Sequence, residues 1–134
     1  MPEVSFIGQI EYAASIRDYD SLSVSFAIVP GNSCWALSSG AAHGETQTAA
    51  MADDVGRCPL NHPIDVSYST SSAEGWPFFI CEVWDKSEPS TRNFVGCGSC
   101  WLPPSKGEHA LDVHLWKPAS LNDFNNFLGG VISL

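Results

Sequence analysis

Two neighbouring stretches restrict the fold more than any other part of this chain. His62-Pro63-Ile64-Asp65-Val66-Ser67-Tyr68 alternates apolar with polar, and Gly75-Trp76-Pro77-Phe78-Phe79-Ile80-Cys81-Glu82-Val83-Trp84 follows a short polar turn. Side chains two apart share one face of a strand, so the first stretch reads as a half-wet strand. In the second, Phe79, Cys81 and Val83 line one face, and Phe78, Ile80 and Trp84 line the other. Only Glu82 interrupts, so this strand is expected to be covered on both sides. Pro77 cannot donate to a ladder and suits a strand's first residue. The pair is expected to form the centre of an antiparallel β-sandwich.

The remaining alternations agree. Val4, Phe6, Gly8 and Ile10 take one face of an opening strand, and Leu22, Val24, Phe26 and Ile28 one face of the next. Cys34 to Leu37 is an apolar island, Glu45 to Thr48 reads as an edge strand, and 49–60 gives no assignment. Phe94 to Leu102 and Ala110 to Leu115 read as further strands, with Asp85 to Arg92 as a hairpin loop. Nine Pro and eleven Gly cut the chain into short pieces, as all-β folds require. Near the end the period changes. Ser120 can cap a helix, Leu121, Phe124, Phe127 and Leu128 share a helical face, and Gly129-Gly130 ends it. The fold class is therefore all-β, an antiparallel sandwich with a short C-terminal helix, in one domain over 1–134.

Charge excludes some functions. Six basic residues against fifteen acidic ones give a net charge of -9. The cations stand singly, so nothing neutralises a run of phosphates and nucleic acid is not an expected partner. An anionic membrane surface is disfavoured for the same reason. No apolar run reaches the ~20 residues that span a bilayer, and Met1-Pro2-Glu3-Val4 has no signal-peptide character. Five Cys without a secretory signal read as free thiols in a reducing compartment.

Chemistry-bearing motifs are few. Cys97-Gly98-Ser99-Cys100 is a CxxC, but residues three apart on a strand point to opposite faces. Neither a redox pair nor half a zinc site suits that geometry, so these read as structural cysteines. No nucleophile elbow, phosphate loop or dinucleotide loop occurs, and the histidines, His62, His109 and His114 among them, read as surface or core residues. No enzyme activity and no cofactor is expected. Asp18, Asp20, Asp53, Asp54, Asp85 and Glu88 fall in connections. If they converged they could bind calcium through carboxylate oxygens, which makes a calcium-dependent phospholipid-binding module the alternative reading. Five Trp in a chain of this size offer both core filling, expected for Trp76 and Trp84, and an exposed patch for a protein partner.

An ordered set of short motifs resembles the B-nine domain proteins of the cilium. It starts with Val4 to Ile10, including Gly8 and Gln9, and continues with Trp35-Ala36-Leu37-Ser38-Ser39-Gly40 and Gly44-Glu45-Thr46-Gln47-Thr48. Pro63, Ile64 and Asp65 follow, then Gly75, Trp76 and Pro77, then Gly96, Gly98 and Pro103. The run Gly107 to Pro118, with His109, Leu111, Asp112 and Trp116, favours one branch of the family. The resemblance implies a C-two-like sandwich without enzymatic activity. It implies a subunit of the Meckel-syndrome (tectonic-like) complex, on the cytoplasmic side of the cilium base, at the transition zone, basal body and axoneme-associated cytoskeleton. Its implied partners are the other two B-nine domain proteins and membrane-associated members of the complex, and its implied role is cilium assembly and gating. Two features depart from the family. Cys97 and Cys100 are not part of its signature. Its members continue past the double glycine into a last strand, so an uncovered edge is implied.

Overall fold

The computed structural model describes residues 2–14, 20–51, 57–87, 91–117 and 127–133. Every described element is a β-strand. In chain order they are β1 (Glu3–Ala14), β2 (Ser21–Val29), β3 (Trp35–Gly40), β4 (His43–Glu45), β5 (Ala49–Ala50), β6 (Arg57–Thr70), β7 (Phe78–Asp85), β8 (Asn93–Trp101), β9 (Asp112–Trp116) and β10 (Phe127–Ser133). All pairings are antiparallel, in the order β3-β6-β1-β10-β9-β8-β7-β2-β4, with β5 beside β2. The all-β antiparallel sandwich expected from the alternation is what forms.

The path closes on itself because its two ends are one piece of chain. β3 lies on β6, and β4, three residues further on, lies on β2. Between them Ala41 N–H donates to Asp65 C=O at 3.2 Å, and Ile28 N–H donates to Ala42 C=O at 2.7 Å. The chain thus changes layer at Gly40, which has φ +81°, and a Cβ there would lie 2.1 Å from the Asp65 carbonyl oxygen. Only glycine adopts that backbone without strain while approaching another carbonyl so closely. A strand that switches layers at such a corner removes an exposed edge.

The core lies between the layers. β2 contributes Leu22, Val24, Phe26 and Ile28, and β7 contributes Phe79, Cys81 and Val83; the opposite layer contributes Ile10, Val66 and Tyr68. These are the apolar halves of the alternations, turned inward by the period of two. Tyr68 reaches across, its hydroxyl donating to Ile28 C=O at 3.0 Å. Desolvation pushes the Tyr68 hydroxyl above its ordinary pKa. An aromatic corner joins the layers at one end. Trp35 meets Trp76 and Tyr68 edge to face, and Trp76 meets Phe6 likewise. Trp35 Nε1 donates to Glu74 C=O at 2.8 Å, and Gly31 N–H donates to Gly75 C=O at 2.8 Å.

Several expectations need correction. The two organising stretches are not sheet neighbours: β6 pairs with β1 and β3, while β7 pairs with β2 and β8. They face each other across the core, because the turn between them carries the chain from one layer to the other. β7 is covered on one side only. Phe79 and Val83 are fully buried, but Ile80 is 37% exposed and Glu82 lies open. The edge strand expected over 45–48 ends at Glu45. The unassigned 49–60 contains β5 and the first turnless stretch of β6. Of the C-terminal helix, 121–126 fall outside the described residues, and Phe127 and Leu128 belong to β10 instead.

Candidate protein-interaction face

The outward side chains of the β2-β7-β8-β9 layer can be laid out from the registers. One row is Val29, Phe78 and Trp101. The next is His43, Ala27, Ile80 and Ser99. A third is Glu45, Ser25, Glu82, Cys97 and Trp116. Phe78 and Trp101 meet edge to face at 5.4 Å between centroids. Trp101 is 66% exposed and Trp116 51% exposed. Between the rows runs a shallow groove of about 410 Å³, lined by Ala27, Ile80, Cys97, Gly98 and Trp116. Gly98 lies close under β9, where an added Cβ would meet the His114 carbonyl oxygen at 2.6 Å. Trp116 is the register partner of Cys97 across β8 and β9.

The upper end of this face is closed by charge. Arg92 stacks on Trp84 at 3.8 Å, and Trp84 meets Phe94 edge to face. Glu45 accepts from Lys86 Nζ at 2.7 Å and from Ser23 Oγ at 3.1 Å. The Lys86 hydrogen bond holds the Glu45 carboxyl below the ordinary carboxylate range, against some desolvation and with help from Ser23 and Arg92. A depressed carboxyl stabilises the fold above its unfolded pKa and loses that contribution as pH falls through the folded value. Glu45 is 39% exposed, so the pair contributes less than about 1 kcal/mol. Glu45→Gln is expected to cost under about 1 kcal/mol at about pH 7, and less at an acid pH below the ordinary carboxylate range. Urea unfolding at both pH values checks this.

The outward face of the other layer differs. Its rows are Glu3, Ser69 and Ala36; Ser5, Ser67 and Ser39; Ile7 and Asp65; Gln9 and Pro63. Ser5 Oγ and Ser67 Oγ hydrogen-bond at 2.7 Å, and Ser38 Oγ donates to Glu3. Ile7 is the exposed large apolar side chain in these rows, and Leu37, in the same layer but in the row of Tyr68, is 53% exposed. One face of the sandwich is therefore wet, and the other carries two exposed tryptophans, a phenylalanine and an isoleucine in adjoining rows. Aromatic side chains in such a patch supply contact area at low entropic cost and are enriched at interface hot spots.

The residues singled out in the sequence do not gather into one site. Gly75, Trp76, Pro77 and Trp35 build the aromatic corner; Pro77 C=O accepts from Leu102 N–H at 3.3 Å, just before Pro103. Pro63, Ile64 and Asp65 pair with Gln9, Gly8 and Ile7. Gly96 pairs with Val83 inside β8, and Gln47 C=O accepts from Thr46 Oγ1 at 3.0 Å. Of the set, Gly98 and Trp116 line the groove on the apolar face. Of the acidic residues, Asp20 and Asp85 are described. Asp20 is exposed, and the Asp85 carboxylate accepts from the Ser87 amide and hydroxyl. Asp18, Asp53, Asp54 and Glu88 lie outside the described residues. Among the described residues no three His, Cys, Asp or Glu gather to hold a metal ion.

All five cysteines are free thiols. Cys100 pairs with Phe79 and faces the core, while Cys97 pairs with Glu82 and faces out, so the CxxC is divided between two faces. Burial pushes Cys81 up to about 12 and raises Cys58, Cys97 and Cys100 as well. Raised thiols stay protonated and are poor nucleophiles and poor metal ligands. What the sequence did not single out are Trp101 and Ile80, whose exposure no periodicity marks.

The molecule is thus an all-β sandwich with an apolar patch on one outer face. Residues 4–133 match the sequence model of the family described as ciliary basal body-associated, B9 protein. The chain belongs to that family. It is 35% identical over 120 residues to B9 domain-containing protein 2 of Mus musculus, covering 88% of this chain and 66% of that protein. It is 34% identical over 120 residues to B9 domain-containing protein 2 of Homo sapiens, with the same coverage. B9 domain-containing protein 1 of Mus musculus is 29% identical over 121 residues, covering 90% of this chain and 58% of that protein. The chain thus spans 66% of the length of the two B9 domain-containing protein 2 relatives and 58% of that of B9 domain-containing protein 1.

Proposed function

We propose that this protein is a non-catalytic subunit of the Meckel-syndrome (tectonic-like) complex, acting in cilium assembly and gating through contacts with sister B-nine domain proteins. Residues 1–134 act as one B-nine unit, on the cytoplasmic side of the transition zone. The observation that carries this reading is the contrast between the two outer faces. The Trp101, Trp116, Ile80 and Phe78 side presents adjoining apolar rows, while the Ser5, Ser67 and Gln9 side is polar. Membership in a family described as ciliary basal body-associated supports the location. The net charge of -9 suits a protein partner with basic residues around an apolar centre.

The reading is tested by mixing this protein pairwise with B9 domain-containing protein 1 and with the third B-nine protein, and measuring association by calorimetry. Association at micromolar concentration with at least one of them is expected. No association with either at that concentration would overturn the reading.

A further inference from the structure

One carboxylate stands unpaired among the apolar rows of the β2-β7-β8-β9 face. Glu82 is exposed, and no hydrogen bond or ion pair reaches it from any described residue. Lys86 and Arg92, the cations at the upper end of this face, are engaged elsewhere: Lys86 bonds Glu45 at 2.7 Å, and Arg92 stacks on Trp84 at 3.8 Å. The registers set Glu82 opposite Cys97, and Cys97 opposite Trp116. Carboxylate and indole therefore wall a slot two strand spacings wide, about 10 Å. Its floor is the short Cys97 side chain, and Ile80 and Ser99 line the same groove of about 410 Å³ beside it. Burial first, and the Glu82 charge after it, raise the Cys97 thiol, so the carboxylate acts over that floor. An apolar partner surface laid on this face strips water from Glu82. A carboxylate so covered is costly unless a cation and its hydrogen-bond donors replace that water.

We propose, resting on the reading of this face as the contact with a sister B-nine domain protein, that the slot takes an arginine of that partner, its guanidinium paired with Glu82 and stacked on Trp116 over Cys97. Arginine fits both walls at once. Its planar fork gives a carboxylate two parallel hydrogen bonds, and its flat face stacks on an indole. A lysine ammonium can pair with Glu82 but presents no plane to Trp116. Ile80, Phe78 and Trp101 in the adjoining rows exclude water around the pair, as the ring around a hot spot does. A second copy of this chain is a poor donor. Among the described residues Arg57 lies over Tyr12 and Arg92 over Trp84, each on a ring of its own chain. Six cations against fifteen acids point likewise to a basic donor on another protein.

The test has two arms. In the first, N-acetylarginine amide and its uncharged counterpart N-acetylcitrulline amide are each titrated into isotope-labelled protein and followed by NMR. The Glu82 and Cys97 amides and the Trp116 indole N–H are expected to shift with the arginine probe, and at least about fivefold less with the citrulline probe. In the second, calorimetry is run with the sister B-nine domain protein that binds. Glu82→Gln is expected to weaken association at least about tenfold and Glu82→Lys at least about 100-fold, while Glu3→Gln on the polar face stays within about twofold. Glu82→Gln by itself is expected to leave Tm within about 2 °C of the parent. Arginine shifts at the slot without association with any sister protein would remove the sister-protein reading and keep the slot. Three results would overturn the proposal: an equal response to the two probes, or one centred away from Glu82 and Trp116; sister binding that Ile80→Ser with Trp116→Ser abolishes but Glu82→Gln leaves within about twofold; or a larger fall in Tm from Glu82→Gln in the protein alone, which would show the carboxylate already paired within its own chain.

Discussion

Phe79→Ala is expected to destabilise the fold by about 3–5 kcal/mol. Phe79 is the largest fully buried side chain among the described residues, and its ring stacks on Phe26 at 6.0 Å between centroids and 18° between planes. It sits where β2, β7 and the opposite layer meet, so its removal leaves a cavity whose walls belong to paired strands and cannot collapse without breaking ladders. In a domain of this size the loss corresponds to a fall in Tm of roughly 10–20 °C. Ile80, one residue on, points the other way and is 37% exposed. Ile80→Ala is expected to cost under about 1 kcal/mol. Urea unfolding of both variants, with unchanged m-values, checks the assignment of the two faces. A larger loss from Ile80→Ala than from Phe79→Ala would mean that β7 is turned over.

Gly40→Ala is expected to be as damaging, by a different route. The left-handed backbone of a non-glycine residue costs of order 1–3 kcal/mol. The new Cβ would start 2.1 Å from the Asp65 carbonyl oxygen, which also accepts the Ala41 amide. Relief of that overlap displaces the corner at which β3 becomes β4, and with it the hydrogen bond, so a total of about 3–4 kcal/mol is expected. Gly8→Ala is the control. It has space for a Cβ and no left-handed backbone, so a change between about zero and a gain of 1 kcal/mol is expected. Differential scanning calorimetry of the two variants separates them. Equal Tm values would contradict the closed-corner topology.

Much of the fold was legible because it depends on the period of two. Leu22, Val24, Phe26 and Ile28 alternate with small polar residues, and all four are buried. Phe79, Cys81 and Val83 were read correctly for the same reason. The outer side of β7 was not. Phe78, Ile80 and Trp84 carry the same apolar signal whether a layer of the same chain or a different molecule is to cover them, and periodicity cannot distinguish the two. The pairing of β6 with β1 rather than β7 was also out of reach, since alternation fixes which side chains share a face and not which strands are neighbours. The tail misled because Phe127 and Leu128 stand near Leu121 and Phe124 at helical spacing, while their backbone pairs in β10. The motifs that carried the family resemblance mark turns and corners, such as Gly75 and Pro77 beside Trp35. They located the family without marking the apolar face, and Trp101 and Ile80 on that face belong to none of them.

The decisive measurement is the affinity for B9 domain-containing protein 1, or for whichever sister B-nine protein binds, of two variants set side by side. One carries Ile80→Ser and Trp116→Ser on the apolar face; the other carries Ser67→Lys on the polar face. Hot-spot residues contribute about 2 kcal/mol or more each. A loss of at least about 30-fold is therefore expected for the first variant, with the second within about twofold of the parent. Loss of binding in the Ser67→Lys variant, with the Ile80 and Trp116 variant unchanged, would contradict the assignment of the apolar face as the contact surface.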